Sequence, residues 1–268
     1  MSNIIFSNLT EAELEQFKKL GYVGPFRLIE SHEVDFLTKK LSIKSKTFFF
    51  FNHILRILSR VTGLKKLSEF QWGKAKWHKG MHAISSQIHE ISTNSVILDK
   101  VTSIIGENII LWGSLMLAIE PDEKPSWHTD SECREWDLLE GVSVWLALSN
   151  VDEKSCMRVI TRSHNLDVIP EVLKHTGLNI YDDRAILDAV QQFEPESECV
   201  SVCTQPGEFF IFATKLWHTG GTGSKVRNSL LLQYSKPSVN VRKPLTFDPP
   251  VVWDSCIIPC TLVKGIKG

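Results

Sequence analysis

The chain has 268 residues and a mass of 30.4 kDa, enough to bury a large core within one β-rich or α/β domain. A hydrophobic fraction of 43%, a charged fraction of 23% and a mean hydropathy of -0.06 exclude a disordered or fibrous chain. A formal net charge of -1 gives no general attraction to nucleic acid, and no apolar run reaches the roughly 20 residues of a bilayer span.

Thr10-Glu11-Ala12-Glu13 has the form of a capping box, so the sequence predicts a helix from there to about Leu20, stopped by Gly21. Further helices are predicted from Ser31, over Ile54 to Val61, and from Thr93 or Asn94 to Gly106. Residues 1–106 thus read as a mainly helical lead-in. Within it, the stretch from Phe36 to Ser68 has no Asp or Glu but carries Lys39, Lys40, Lys44, Lys46, Arg56, Arg60, Lys65 and Lys66. Such a block reads as a solvated helix face whose apolar side packs on the core.

After Gly106 the pattern changes to short apolar runs bounded by Gly, Asn, Pro or charge: NIILWGSLMLAI, GVSVWLALSN, CMRVIT, CVSVCT, GEFFIFAT and NSLLLQYS. Their Val, Ile, Leu, Phe and Trp content and partial alternation predict strands. DVIPEVLKHTG and DDRAILDAVQQF read as short helices or an insertion between them. The expectation is a mainly β fold with N-terminal helices: one domain over 1–268, a jelly-roll core over 107–240 and a C-terminal extension over 241–268.

In an extended segment residues i and i+2 share a face, so His128 and Asp130 in PSWHTD can project together. Imidazole with carboxylate suits Fe(II), Mn(II) or Zn(II), and a second His from a distant strand completes a facial triad with open positions. His218, at the end of an apolar run and before a glycine-rich turn, is the candidate third ligand. Arg227 and Ser229 follow on a strand expected to run beside that of His218. A guanidinium offers two parallel donors to a carboxylate, and Ser229 adds a third, a seat suited to the distal carboxylate of 2-oxoglutarate.

These pieces, in order, resemble the phytanoyl-CoA dioxygenase-like group of non-haem iron, 2-oxoglutarate-dependent oxygenases, which includes the syringomycin-type halogenases. LTEAELEQFKKLGYVGPF, PSWHTD, GVSVWLALSNVDEKSCMRVITRSHN and PGEFFIFATKLWHTGG carry the likeness over most of the chain. The resemblance implies a double-stranded β-helix (cupin-like) core, with His128, Asp130 and His218 binding Fe(II), Arg227 anchoring 2-oxoglutarate and Trp145 packing near it, and O2 as oxidant. It implies succinate, CO2 and hydroxylation of an unactivated C–H bond, with desaturation, epoxidation or halogenation as alternatives; a different class, a cupin-like barrel that binds metal or a ligand without catalysis, stays open beside it. In halogenating relatives the Asp130 position is Ala or Gly, so the retained carboxylate favours hydroxylation. The substrate expected is a small molecule, free or tethered to an acyl or peptidyl carrier protein or CoA; Lys44, Lys46, Arg56 and Arg60 would then meet an acidic carrier or a phosphate. The chain departs from the family at Lys154-Ser155, where relatives have Asn-Gly, at Thr161-Arg162, where they have Pro-Gly, and at Ile119, where many have Lys.

Other candidates read as structural. His78 and His82, with His89, have i, i+4 spacing but no acidic partner, so a wet helix or a substrate-lid segment is favoured over metal; in a lid Trp72, Trp77 and Met81 would line the substrate entrance, and plain helix-face packing is favoured over that. Cys199-x3-Cys203 and Cys256-x3-Cys260 are spaced more widely than a zinc knuckle and read as idle thiols. His164 is expected to order a loop by hydrogen bonding. Few cysteines and no basic-then-apolar leader pattern fit a reducing cytoplasm.

Overall fold

The computed structural model describes residues 8–38, 54, 57, 58, 60–62, 77–83, 85–121, 123–130, 141–238 and 261–265. Helix Glu11–Leu20 begins with the predicted capping box, in which Thr10 Oγ1 accepts from the Glu13 amide and the Glu13 carboxylate accepts from the Thr10 amide. It ends on Gly21 at φ 85°, a left-handed position that glycine takes without penalty. Residues 31–38 are helical, as are the described residues between 54 and 62. Asn94 caps helix Ser95–Ile105, and Gly106 ends it. A further helix, Ser86–Ser92, capped by Ser85, was not predicted.

Strands β1 (Tyr22–Arg27), β2 (Trp77–Lys79), β3 (Ile109–Ile119), β4 (Gly141–Ala147), β7 (Glu208–Ala213), β9 (Arg227–Ser235) and β10 (Thr261–Lys264) form one antiparallel sheet, in the order β1-β7-β4-β9-β3-β10 with β2 on β3. Strands β5 (Met157–Ile160), β6 (Cys199–Val202) and β8 (His218–Gly220) form a second, in the order β6-β5-β8. This is a jelly-roll core of mainly β class. The large sheet draws β1 and β2 from the helical lead-in and β10 from the C-terminal extension, so the strands are not confined to 107–240.

The large sheet is buried on both faces, which explains why β4 and β9 read as continuous apolar runs. Its outer face, with Val142, Val144, Leu146, Leu230 and Leu232, packs against Phe17, Ile88, Ile97 and Val101 of the helices. Its inner face, with Leu115, Trp145, Phe210, Phe212 and Leu231, meets Met157, Val159 and Val202 of the small sheet. Each such side chain, fully buried, contributes about 1.5–3 kcal/mol.

Four expectations are corrected. His78 lies in β2, a strand paired with β3, and not on a helix face. Met81 is buried in the outer-face core and so does not line an entrance, while buried His82 joins its Nδ1 to Ser114 Oγ at 2.8 Å. His89 is exposed on helix Ser86–Ser92, and Trp72 lies outside the described residues. The amphipathic segment does not pack its apolar side on the core: Ile54, Ile57, Leu58 and Val61 are all exposed.

The cysteines give the fourth correction. Met157 of β5 stands opposite Val202 of β6, so the next residues outward, Cys156 and Cys203, become cross-strand neighbours and are joined by a disulfide. Cys203 is therefore no partner for Cys199, which is free and exposed, and the idle-thiol argument for a reducing compartment loses this pair. Cys256 and Cys260 lie outside the described residues. The bridge closes a sequence separation of 47 residues; reducing it, or Cys203→Ser, should lower the unfolding free energy by about 2–4 kcal/mol. Denaturant titration with and without dithiothreitol measures this, and coincident midpoints would show that the bridge does not form.

Candidate metal centre and carboxylate seat

His128 is not in a regular strand. It forms an isolated antiparallel bridge with His218, each backbone amide donating to the other residue's carbonyl at 3.0 Å. The Asp130 amide donates to the Thr214 carbonyl at 2.9 Å, which keeps the segment extended for two more residues. The i, i+2 expectation therefore holds through bridging to the chain around β8. Potential ligand atoms of His128, Asp130 and His218 lie within 4.8 Å of one another, the only such His/Cys/Asp/Glu group among the described residues.

Backbone carbonyls set the imidazole orientations. His128 Nδ1 lies 2.8 Å from the Ser126 carbonyl and His218 Nδ1 lies 2.9 Å from the Leu216 carbonyl. A carbonyl can only accept, so each Nδ1 carries a proton, and the neutral form of each ring presents at Nε2 the lone pair that a metal requires. His218 Nε2 is 3.7 Å from Asp130 Oδ1. Burial, and then the neighbouring His128, hold His218 well below the usual imidazole range, so it is neutral at pH 7.

Sequence reasoning missed Ser143 of β4. Its buried hydroxyl donates to Asp130 Oδ2 at 2.5 Å, which fixes one carboxylate oxygen in place. No sequence signal marks it beyond its place two residues before Trp145, which puts both on the inner face.

The arginine seat differs from expectation in one respect. β9 pairs with β3 and β4, whereas β8 pairs with β5, so Arg227 and His218 sit in opposing sheets and not on neighbouring strands. The guanidinium spans the gap: a side chain at Gly220 would collide with Arg227 Nη2, so glycine there makes the room. Arg227 Nη1 donates to the Ser155 carbonyl at 2.5 Å, and its Cζ stands 5.6 Å from the Trp145 ring centroid. Ser155 belongs to the departure from the family's Asn-Gly, and its backbone supplies the contact. Arg227 is 3% exposed, and burial pushes its pKa down to about 10, so it remains a cation at neutral pH.

Three buried polar atoms on residues of this inner face have no partners among the described residues: Arg227 Nε, Ser229 Oγ and Trp145 Nε1. Orphaned buried donors cost about 1–3 kcal/mol each, so a cluster of them beside a buried cation fits an absent anion with several acceptor oxygens. A dicarboxylate such as 2-oxoglutarate meets that description, and the two free Nε2 atoms beside a fixed carboxylate fit a divalent ion.

The remaining candidates are structural. The His164 Nε2 contacts the Lys18 carbonyl at 3.1 Å and ties its loop to the first helix. Arg162, where relatives carry Gly, adopts φ 64° and pairs with Glu196. Ile119 is buried opposite Arg227 in the β3–β9 register.

Ser143→Ala should weaken Fe(II) or Co(II) binding about tenfold, the loss of one hydrogen bond to a charged group, while Ser143→Thr keeps the donor and most of the affinity; metal titration by absorption checks both. In metal-free protein the unfolded chain protonates His218 near pH 6.5 while the folded chain resists it. Stability should therefore fall below that pH by up to about 1.4 kcal/mol per unit. Urea titrations at pH 7.5 and 5.5, compared with His218→Asn, measure the slope.

A profile of the phytanoyl-CoA dioxygenase family matches residues 17–229. No curated protein matches the sequence. Among solved structures, the non-heme alpha ketoglutarate dependent carbocyclase SnoK from nogalamycin biosynthesis is 16% identical, covering 98% of this chain and 96% of its own at a TM-score of 0.61. CytC3 with Fe(II) and alpha-ketoglutarate is also 16% identical, with 98% and 91% covered and a TM-score of 0.60. The epimerase SnoN, in complex with Fe3+, alpha ketoglutarate and nogalamycin RO, is 18% identical, with 87% and 85% covered and a TM-score of 0.59. At these identities the structures speak for the jelly-roll fold alone. The family match spans most of the chain and includes the His-Asp-His cluster and the arginine seat, and by it this chain belongs to the phytanoyl-CoA dioxygenase family of Fe(II)/2-oxoglutarate-dependent oxygenases.

Proposed function

We propose that the chain hydroxylates an unactivated C–H bond of a small molecule, with O2 as oxidant and 2-oxoglutarate converted to succinate and CO2. The balance is RH + O2 + 2-oxoglutarate to ROH + succinate + CO2, with one oxygen atom entering each organic product. Fe(II), when bound, supplies O2 activation and the hydrogen abstraction. His128 and His218 would hold it through Nε2 and Asp130 through Oδ1, all three on a backbone bridge that keeps their spacing. Arg227 would grip the distal carboxylate of 2-oxoglutarate, with Ser229 Oγ and Trp145 Nε1 as further donors. The inner faces of the two sheets exclude water around them.

The observation that carries hydroxylation over halogenation is the Asp130 carboxylate, present and tied to Ser143. A halide would need the position that this side chain fills. Desaturation and epoxidation use the same centre and differ in how the substrate is aimed. A non-catalytic metal barrel has no use for a buried guanidinium with an unpartnered Nε beside the ion site. The small-molecule class follows the family, and the SnoN structure holds a compound of this kind. A CoA or carrier-tethered form rests on the resemblance to enzymes that act on tethered substrates.

Anaerobic addition of Fe(II) and then 2-oxoglutarate should produce a weak visible charge-transfer band. Arg227→Met should raise the 2-oxoglutarate concentration needed by at least about a hundredfold, the loss of a buried charge-assisted pair, and His218→Ala should abolish the band. A full band in both variants would remove these residues from the site. Turnover with added chloride or bromide should yield a hydroxylated and not a halogenated product.

A further inference from the structure

We propose that Gln233 orients the substrate at the oxygenase site, and that what it holds is uncharged: an apolar body bearing a hydroxyl or a carboxamide. The inference rests on the oxygenase reading above and names the substrate class of that same site. It starts from strand register. Phe212 of β7 stands opposite Ser143 of β4, Ser143 opposite Gln233 of β9, and Gln233 opposite Gly113 of β3. Residues directly opposite in an antiparallel ladder share a face, so these form one row across the large sheet. Ser143 tells which face, because its hydroxyl reaches Asp130 on the inner side. The row passes the metal ligands: the Phe212 ring lies 4.8 Å from the His218 ring, and Ser143 holds Asp130. Gln233 comes next, one strand spacing of about 4.8 Å beyond Ser143.

The carboxamide is buried and uncommitted. Gln233 is 6% exposed, and its side chain makes no hydrogen bond among the described residues. A Cβ at position 113 would lie 2.3 Å from Gln233 Oε1, so the glycine there admits the amide. A buried amide with room made for it and no protein partner adds nothing to the fold, and a ligand that pairs with it gives it a use. It donates through nitrogen and accepts through oxygen, so its complement is a hydroxyl or another amide. Charge argues against a carboxylate or phosphate at this end. Among the described residues the buried Lys and Arg are Arg227, at the other end of β9, and Lys100, which stands over the Phe26 ring against the outer-face core. An anion buried without a cation is costly. Leu231, Trp145 and Phe212 on the same inner face supply a wall for the apolar body.

The test uses the full chain loaded anaerobically with Fe(II) and 2-oxoglutarate, and probes of similar size: benzamide, benzyl alcohol, benzoate and toluene. Each is ranked by the concentration that half-shifts the visible band. Benzamide and benzyl alcohol should act at concentrations about fivefold below toluene, the worth of one neutral hydrogen bond, and at least about tenfold below benzoate, which would bury an unpaired charge. Gln233→Met, which keeps the length of the side chain and removes the amide, should erase the advantage of benzamide and benzyl alcohol over toluene. Gly113→Ala, which displaces the carboxamide, should do the same. The band before any probe is added, with far-ultraviolet circular dichroism, reports whether each variant is folded and loaded. Should Gln233→Met not fold, Gly113→Ala and the wild-type ranking carry the test. Absence of the band in the wild type would sink the oxygenase reading itself. A normal band with equal response to every probe, with no response to benzamide or benzyl alcohol, or with their advantage retained in the folded variants overturns the role of Gln233 and leaves that reading standing.

Discussion

The site depends on one short backbone contact. His128 and His218 are far apart in sequence, and they meet because each amide donates to the other's carbonyl. A bridge of this kind fixes the relative position of two Cα atoms to within a few tenths of an ångström, and the side chains inherit that precision. The Ser126 and Leu216 carbonyls then choose the tautomers. The imidazoles are thus oriented by peptide groups, which do not titrate in the accessible range, and the site's geometry stays independent of protonation elsewhere.

Around this contact the polar groups divide into a committed set and an uncommitted set. Asp130 Oδ2, both Nδ1 atoms and Arg227 Nη1 have protein partners. Arg227 Nε, Ser229 Oγ and Trp145 Nε1 do not. Buried unsatisfied donors call for a partner, and the acceptor oxygens of a ligand are one that would complete them. Trp145 is at once a core aromatic, packed on Phe210, and a member of this uncommitted set, two roles carried by different atoms of one side chain.

Much of this was legible in the residues, for reasons that differ by element. The first helix announced itself through a local hydrogen-bond pattern, Thr10 with Glu13, that needs no tertiary information. The strands were visible as apolar runs, but their pairing was not: the 214–217 turn carries the chain from β7 in one sheet to β8 in the other, and placed Arg227 across the barrel from His218. Ser143 could not be found, because a serine in a buried strand has no spacing signature and gains its role only when Asp130 arrives from outside the strand. Cys156 and Cys203 were likewise joined by β-sheet register, a property of two strands that neither sequence segment contains alone. The short strand at His78 carries a helix-like i, i+4 histidine pattern, and pairing with β3 overrode it.

The chain between β5 and β6 leaves the sheets, forms helices Pro170–Leu173 and Asp183–Gln191, and returns. On its way it takes hold of the residue beside His128: the Trp127 amide donates to the Ile180 carbonyl at 2.9 Å, and the indole donates to Asp183 at 3.0 Å, a carboxylate also paired with Arg158. Because β5 and β6 are joined by their own ladder, this excursion can change length or composition without disturbing their alignment. It is therefore the part of the molecule through which descent can retune the ion's surroundings from behind, one peptide away from an imidazole, while the barrel wall keeps its shape.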